Sequence, residues 1–337
     1  MAVTKQYFGL VLTVGTQLWA PTTIRVSGDS SIVGQLRATV DGRLECDFPE
    51  RLILIANHQI YTDWLYLWWT AYTAGFHGYI YILLKKSLKW VPLVGPAMQL
   101  YSFVFMARKW AADQQTMRHR LQQLNKPPSD GSPRNPMWLL IFPEGTNLSA
   151  NARKSSAKWA EKTGVPDMKY QVLPRSLGLQ FCLQEIGQTT EYIYDCTIAY
   201  EYIPPGEYGQ DIFSLRTVYF QGRPPKSVSM HWRRFKISDI PFDNNEKMEQ
   251  WTLQRWREKD ELMEQHAQTG RFPADLSAVV VEKGAKNDNG YVNTTIRAVN
   301  PFEILQIFAP VLGAYLVCRL LIQLINFAQY GRFSYVV

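Results

Sequence analysis

Short apolar runs, each closed by a cluster of polar residues, set the pattern of this chain. LILIA (52–56), YIYILL (79–84), the run ending at 106 in YSFVFM, WLLIF (138–142) and EYIYDCTIAY (191–200) are too short for helices and rich in aliphatic and aromatic side chains. Such runs predict buried strands. VSMHWRRF alternates instead, with Val228, Met230 and Trp232 against Ser229, His231 and Arg233, and predicts one more. A further short strand is expected before the Pro174-Arg175 turn. Helices are expected from about Asp63, over 111–124, over the basic stretch 157–164, after Arg175, and through Trp251, Trp256 and Met263. Asp243 and Glu246 have the spacing of a capping box for the last of these. The expectation is an α/β fold, a mixed and largely parallel central sheet flanked by helices.

The ends of the chain carry a different pattern. YFGLVLTVGTQLWA (7–20) is apolar but short for a membrane span and diluted by Thr13, Thr16 and Gln17. It reads as a weak anchor within residues 1–25, or as an interfacial helix. Residues 40–240 are expected to form the main domain, 241–270 an accessory amphipathic helix, and 271–300 a loop. From Ile304 to Ala328 the chain is long and apolar enough to cross a bilayer, with Arg319 near its middle and Pro310 and Gly313 able to bend it. The reading for 301–330 is a bent membrane segment or a shallow hairpin, with a core helix as the bland alternative.

Composition narrows the partners. The net charge of +7 beside 11 tryptophans and 18 tyrosines admits nucleic acid, an anionic membrane or a phosphorylated substrate. No RNA-binding signature, zinc-finger spacing or basic coiled coil is found, so nucleic acid falls behind. Cys46, Cys182, Cys196 and Cys318 are scattered, with no CxxC, which argues for reduced thiols and against a zinc site or disulfide framework.

The candidate chemistry lies where the strands end. LILIA runs into Asn57 and His58, and Asp63 follows. Residues five apart on one helix are turned by about 140° and share no face. The pair meets only if His58 sits on a corner before a helix whose first turn presents Asp63. Histidine moves protons near neutral pH, and a carboxylate on its far nitrogen fixes its tautomer. Alone, a histidine at a strand end is more often structural. Arg108, just after the third run, has the planar fork that suits phosphate, and WLLIF opens into Pro143-Glu144-Gly145-Thr146, a turn where a carboxylate can grip a hydroxyl. Three strands ending in reactive residues fit a ligand site at the carboxyl edge of an α/β sheet. Lys85, Lys86, Lys89 and Trp90 form either a solvated basic turn or a surface for anionic headgroups. Trp64, Tyr66, Trp68 and Trp69 are expected to face a membrane, the alternative being that they fill a core.

Taken together these residues resemble the glycerophospholipid acyltransferase family built on an NHx4D motif. Asn57-His58 through Asp63 matches the first motif, and Lys85, Leu88, Pro92 and Gly95 match the KxxLxxxPxxG pattern. Arg108 matches the second motif, Phe142-Pro143-Glu144-Gly145-Thr146 the third, and Val172-Leu173-Pro174-Arg175 the proline-centred fourth. The likeness covers roughly residues 50 to 265 and is strongest to the lysocardiolipin and lysophosphatidylinositol acyltransferase branch, although Gln59 and Asn147 depart from the common residues.

The resemblance implies transfer of a fatty acyl chain from acyl-CoA, as co-substrate, to the free glycerol hydroxyl of a lysophospholipid. The acceptor would be 1-acylglycerol-3-phosphate or of the lysophosphatidylinositol or lysocardiolipin type. No bound cofactor or metal is implied. In that scheme His58 is the base and Asp63 orients it. Asn57, Arg108, Glu144, Gly145 and Thr146 serve the acceptor, and Pro174 and Arg175 lie by the donor. The expected setting is a membrane, the endoplasmic reticulum or alternatively the mitochondrion, with the site facing the cytosol. A CoA-independent phospholipid transacylase and a non-catalytic lipid-binding protein are the rival readings.

Overall fold

A computed structural model describes residues 2–92, 94–107, 110–201, 203, 204 and 206–330. The strands are β1 (Thr23–Gly28), β2 (Leu36–Ala38), β3 (Leu44–Cys46), β4 (Arg51–Ala56), β5 (Ile80–Lys85) and β6 (Val104–Met106). They continue with β7 (Met137–Ile141), β8 (Tyr192–Tyr200), β9 (Ser227–Lys236), β10 (Val279–Val281) and β11 (Val292–Thr295). The helices are α1 (Ala2–Trp19), α2 (Asp63–Thr73), α3 (Val94–Leu100), α4 (Trp110–Asn125) and α5 (Ala150–Thr163), then α6 (Ser176–Ile186), α7 (Gly209–Ile212), α8 (Asn245–Thr269) and α9 (Ala309–Tyr330).

The large sheet has the order β11-β1-β9-β8-β4-β7-β5-β6. From β8 through β4, β7 and β5 to β6 every neighbouring pair is parallel, and β1 is parallel to β9, while β9 runs antiparallel to β8 and β11 to β1. A strand buried on both sides needs apolar residues at every position, which is what the continuous runs supply. In β4, Leu52, Leu54 and Ala56 enter the core shared with α2, while Ile53 and Ile55 enter the opposite core with residues of α4, α6 and α8.

Several expectations need correction. Residues 271–300 are not simply loop, because Val292 and Thr294 turn inward from β11 while Asn293 and Thr295 turn outward, and β10 pairs with β2. Strands of three and four residues leave too little alternation to detect. The sheet therefore recruits residues from Thr23 to Thr295, beyond the span 40–240. No strand forms at 170–173. The cap of α8 is Asn244, whose side chain accepts from the Lys247 N–H, rather than Asp243. The carboxyl-terminal segment is no hairpin: α9 is one continuous helix behind a 3-10 turn at Pro301–Ile307, and Pro310 lies in its first turn, where a missing N–H costs little.

The amino-terminal helix docks by its polar residues. Lys5, Gly9, Thr13 and Thr16 are buried, the Lys5 ammonium donating to the Ile80 carbonyl at 2.9 Å and lying 3.5 Å from the centre of the Tyr81 ring. Val3, Val11, Leu18 and Trp19 remain exposed. The residues that dilute this segment as a span are those that attach it to the domain.

Candidate active site

Parallel pairing of β4 with β7 and β8 brings three chain segments to one edge. Ile55 lies opposite Ile141 and Ala56 opposite Cys196, so the residues after β4 meet the turn after β7 and the last residues of β8. Asn57 extends the pairing with its side chain: its amide donates to the Ile198 carbonyl at 2.9 Å and its oxygen accepts the Ile198 N–H at 2.8 Å. With Asn57 tied down, the chain turns at His58 and α2 begins at Asp63, as the spacing predicts.

Asp63 is fully buried and saturated with donors. Its Oδ2 accepts from His58 Nδ1 at 2.8 Å, the Gln59 N–H at 2.6 Å and the Ile60 N–H at 3.0 Å, and its Oδ1 accepts from the Tyr200 hydroxyl at 2.5 Å. A carboxylate can only accept, so Nδ1 carries the proton and Nε2 presents its lone pair. The His58 side chain keeps 18% of its surface exposed, which leaves a path for a reactant. Its ring stacks on Phe142 with centroids 4.3 Å apart, which holds the imidazole plane.

The turn after β7 grips the histidine backbone from both sides. Glu144 Oε1 accepts the His58 N–H at 3.2 Å, and the Leu148 N–H donates to the His58 carbonyl at 2.8 Å. Gly145 makes the turn possible with a φ of +68°, a region that disfavours a side chain. Glu144 itself is buried beneath that turn, where its Oε1 also accepts from the Trp256 indole at 3.1 Å and its Oε2 has no partner. Burial pushes its pKa up to about 8 and the nearby Asp63 charge adds to this, while the Trp256 and His58 donors and Lys259 pull the other way.

The other sequence candidates fall into place unevenly. Thr146 is half-buried beside Gly145, and Pro174 is half-buried next to Arg175, whose side chain is exposed and whose N–H donates to the Pro143 carbonyl at 2.8 Å. The first, third and fourth motifs are thus physically joined. β6 is parallel to β5 and ends on the same edge, three strands from β4, or about 14 Å. Arg108 itself lies outside the described residues. Gly95 of the lysine-led pattern packs so closely that a Cβ there would collide with the Lys89 carbonyl, a structural reason for glycine. Among the described residues no three His, Cys, Asp or Glu side chains converge as a metal site.

Tyr200 and Trp256 escaped the sequence reading. Each contacts the site from more than a hundred positions away, and no local pattern marks either one. The aromatic run after Asp63 also departs from expectation, because Tyr66, Trp68 and Trp69 are 2–3% exposed and form core under α1, with Phe8 5.4 Å from the Trp68 ring.

Comparison with known proteins identifies the family. The acyltransferase family profile matches residues 37–201, and an acyltransferase C-terminus profile matches residues 219–297. An uncharacterized acyltransferase of Schizosaccharomyces pombe is 38% identical over 309 residues, covering 92% of this chain and 82% of its own length. The 2-acyl-1-lysophosphatidylinositol acyltransferase of Saccharomyces cerevisiae is 35% identical over 302 residues, covering 81% of this chain and 76% of its own. Lysocardiolipin acyltransferase 1 of Gallus gallus is 33% identical over 228 residues, covering 66% of this chain and 55% of its own. A strand-end histidine held by a buried carboxylate, within a chain matched over most of its length, places this protein in the glycerolipid O-acyltransferase family.

Proposed function

We propose that this protein transfers a fatty acyl chain from acyl-CoA to the free glycerol hydroxyl of a lysophospholipid, with lysophosphatidylinositol the first acceptor to test. The observation that carries this reading is the saturated Asp63, which commits His58 Nδ1 as donor and leaves Nε2 as base. The thioester is already activated, so the work is deprotonation and oxyanion stabilisation. His58 Nε2 takes the hydroxyl proton as the oxygen attacks the thioester carbonyl. The tetrahedral oxyanion collapses, the C–S bond breaks, and the imidazolium returns the proton to the CoA thiolate. Asp63 stabilises the imidazolium meanwhile. Arg108 is assigned to the lysolipid phosphate, Gly145 and Thr146 to the acceptor wall, and Pro174 and Arg175 to the donor mouth. Support for the lysophosphatidylinositol or lysocardiolipin class comes from the names of the relatives.

Membrane contact is assigned to α9 and the exposed apolar face of α1, in the endoplasmic reticulum with the catalytic edge toward the cytosol. The helical stretch Phe302–Phe327 is 26 residues long and apolar enough to cross a bilayer, and no residue from Val311 to Phe327 is buried. Four cysteines that form no disulfides fit a reducing face.

The His58→Ala protein should stay membrane-bound and lose acyl transfer from labelled acyl-CoA by about a thousandfold, within the range for a removed general base. Wild-type turnover in that variant would overturn the assignment, and transfer from phospholipid donors without CoA would point to a transacylase.

A further inference from the structure

The carboxyl-terminal module places one row of α8 side chains against the catalytic edge. Trp256, Lys259, Asp260 and Met263 recur at three- and four-residue spacing and therefore share a helix face. Trp256 donates its indole N–H to Glu144 Oε1 at 3.1 Å. Lys259, fully buried, pairs with Asp195 at 2.5 Å and donates to the Cys196 carbonyl at 2.7 Å, gripping β8 one strand from His58. Asp260 accepts the Lys169 and Tyr170 N–H groups, both at 2.7 Å, in the loop whose Tyr170 carbonyl takes the Gln59 side-chain amide at 3.2 Å. One helix thus supports three segments around the NHx4D corner.

The shortest route to the base passes through Glu144, whose Oε1 accepts from both Trp256 and the His58 backbone. Its exposure of only 2% puts the carboxyl beneath the turn rather than at a substrate surface. An ionised group with Oε2 unpartnered in so dry a place is strongly disfavoured. We propose that Trp256 is a positioning residue for acyl transfer: through the buried carboxyl of Glu144 it holds the His58 backbone in the setting that keeps the imidazole on Asp63, so that the carboxyl-terminal module completes the active site. Glu144 fills this role uncharged. The groups facing it are the Asp63 carboxylate from α2, the Lys259 ammonium and Trp256 indole from α8, and the His58 N–H after β4. Ionisation would set a second negative charge near Asp63 and change the load on the His58 turn, so turnover falls as pH rises through about 8, the value to which burial pushes this acid.

Steady-state kinetics of the full-length protein in membranes, from pH 6 to 9.5 with acyl-CoA and lysophosphatidylinositol, tests this reading, which rests on His58 as the base. Trp256→Phe keeps an aromatic ring but removes the donor, and should lower kcat about tenfold, the size expected for one hydrogen bond, with both KM values within about twofold. Glu144→Gln keeps an acceptor for both donors and cannot ionise. It should lose less than about threefold in kcat at pH 7 and lack the alkaline fall near pH 8, whereas Glu144→Ala loses about a hundredfold. A Gln variant as damaged as the Ala variant would overturn the proposal by showing that the ionised carboxylate is needed. An unchanged kcat in Trp256→Phe, or a change confined to KM, would also overturn it. If Trp256→Phe fails to accumulate, the pH profile of Glu144→Gln decides alone. An inert His58→Ala protein alongside either overturning result shows that the positioning role failed and the acyltransfer reading did not.

Discussion

Helices α2 and α9 are both dominated by large apolar side chains, Leu and aromatics in α2 and Leu, Ile, Val and aromatics in α9, yet their fates are opposite. In α2 every residue from Leu65 to Tyr72 is buried, between the sheet core and α1. In α9 no residue from Val311 to Phe327 is buried. The difference lies in placement, since α2 leaves the central strand β4 at its carboxyl end and lies on the sheet, whereas α9 follows the edge strand β11 and stays exposed. An exposed apolar face this large marks an interaction surface, while an equally apolar helix beside the catalytic corner serves as scaffold. Asp63, on the first turn of the scaffold helix, takes its rigidity from that burial.

This contrast can be broken by substitution. Trp69→Ala in α2 should cost about 3–5 kcal/mol of unfolding free energy by denaturant titration, the usual loss for a buried tryptophan. A cost below about 1 kcal/mol would mean that α2 is not core. Tyr200→Phe removes one donor to Asp63 while keeping the ring beside Tyr66, and should reduce kcat about tenfold with little change in folding. An unchanged kcat would show that the three donors on Oδ2 suffice to hold the carboxylate. The smallest effect on the fold belongs to Leu316→Ser in α9, where Leu316 is 56% exposed. It should shift unfolding of the catalytic domain by less than about 0.5 kcal/mol while weakening retention in vesicles; a large loss of stability would mean that α9 is covered by protein.

The corner from Leu52 to Asp63 was legible because each of its determinants is local. A run apolar at every position makes a doubly covered strand, and the spacing of His58 and Asp63 admits only a turn before a helix. The turn at Pro143–Thr146, closing a second such run, was legible for the same reason. Tyr200 and Trp256 were not, because a tyrosine ending a strand and a tryptophan within an amphipathic helix carry no mark of the acid each will meet. Glu144 shows the opposite failure: its motif is plain, but its local sequence suggests a carboxylate offered to substrate, and only the packing of α8 shows it beneath the turn. The strands β1, β10 and β11 were missed because short strands at a sheet edge, or one place in from it, acquire strand geometry from their partners more than from their own propensity.

What the sequence by itself determined is a local geometry: a histidine and a carboxylate at a spacing that a strand, a corner and a helix can bring together, and a family of motifs around them. The tertiary structure decided which apolar segment is scaffold and which is surface, and which acid meets four donors and which lies buried beneath a turn. Those properties depend on what lies on the far side of each residue, and neighbours more than a hundred positions away are set by sheet order rather than by local pattern.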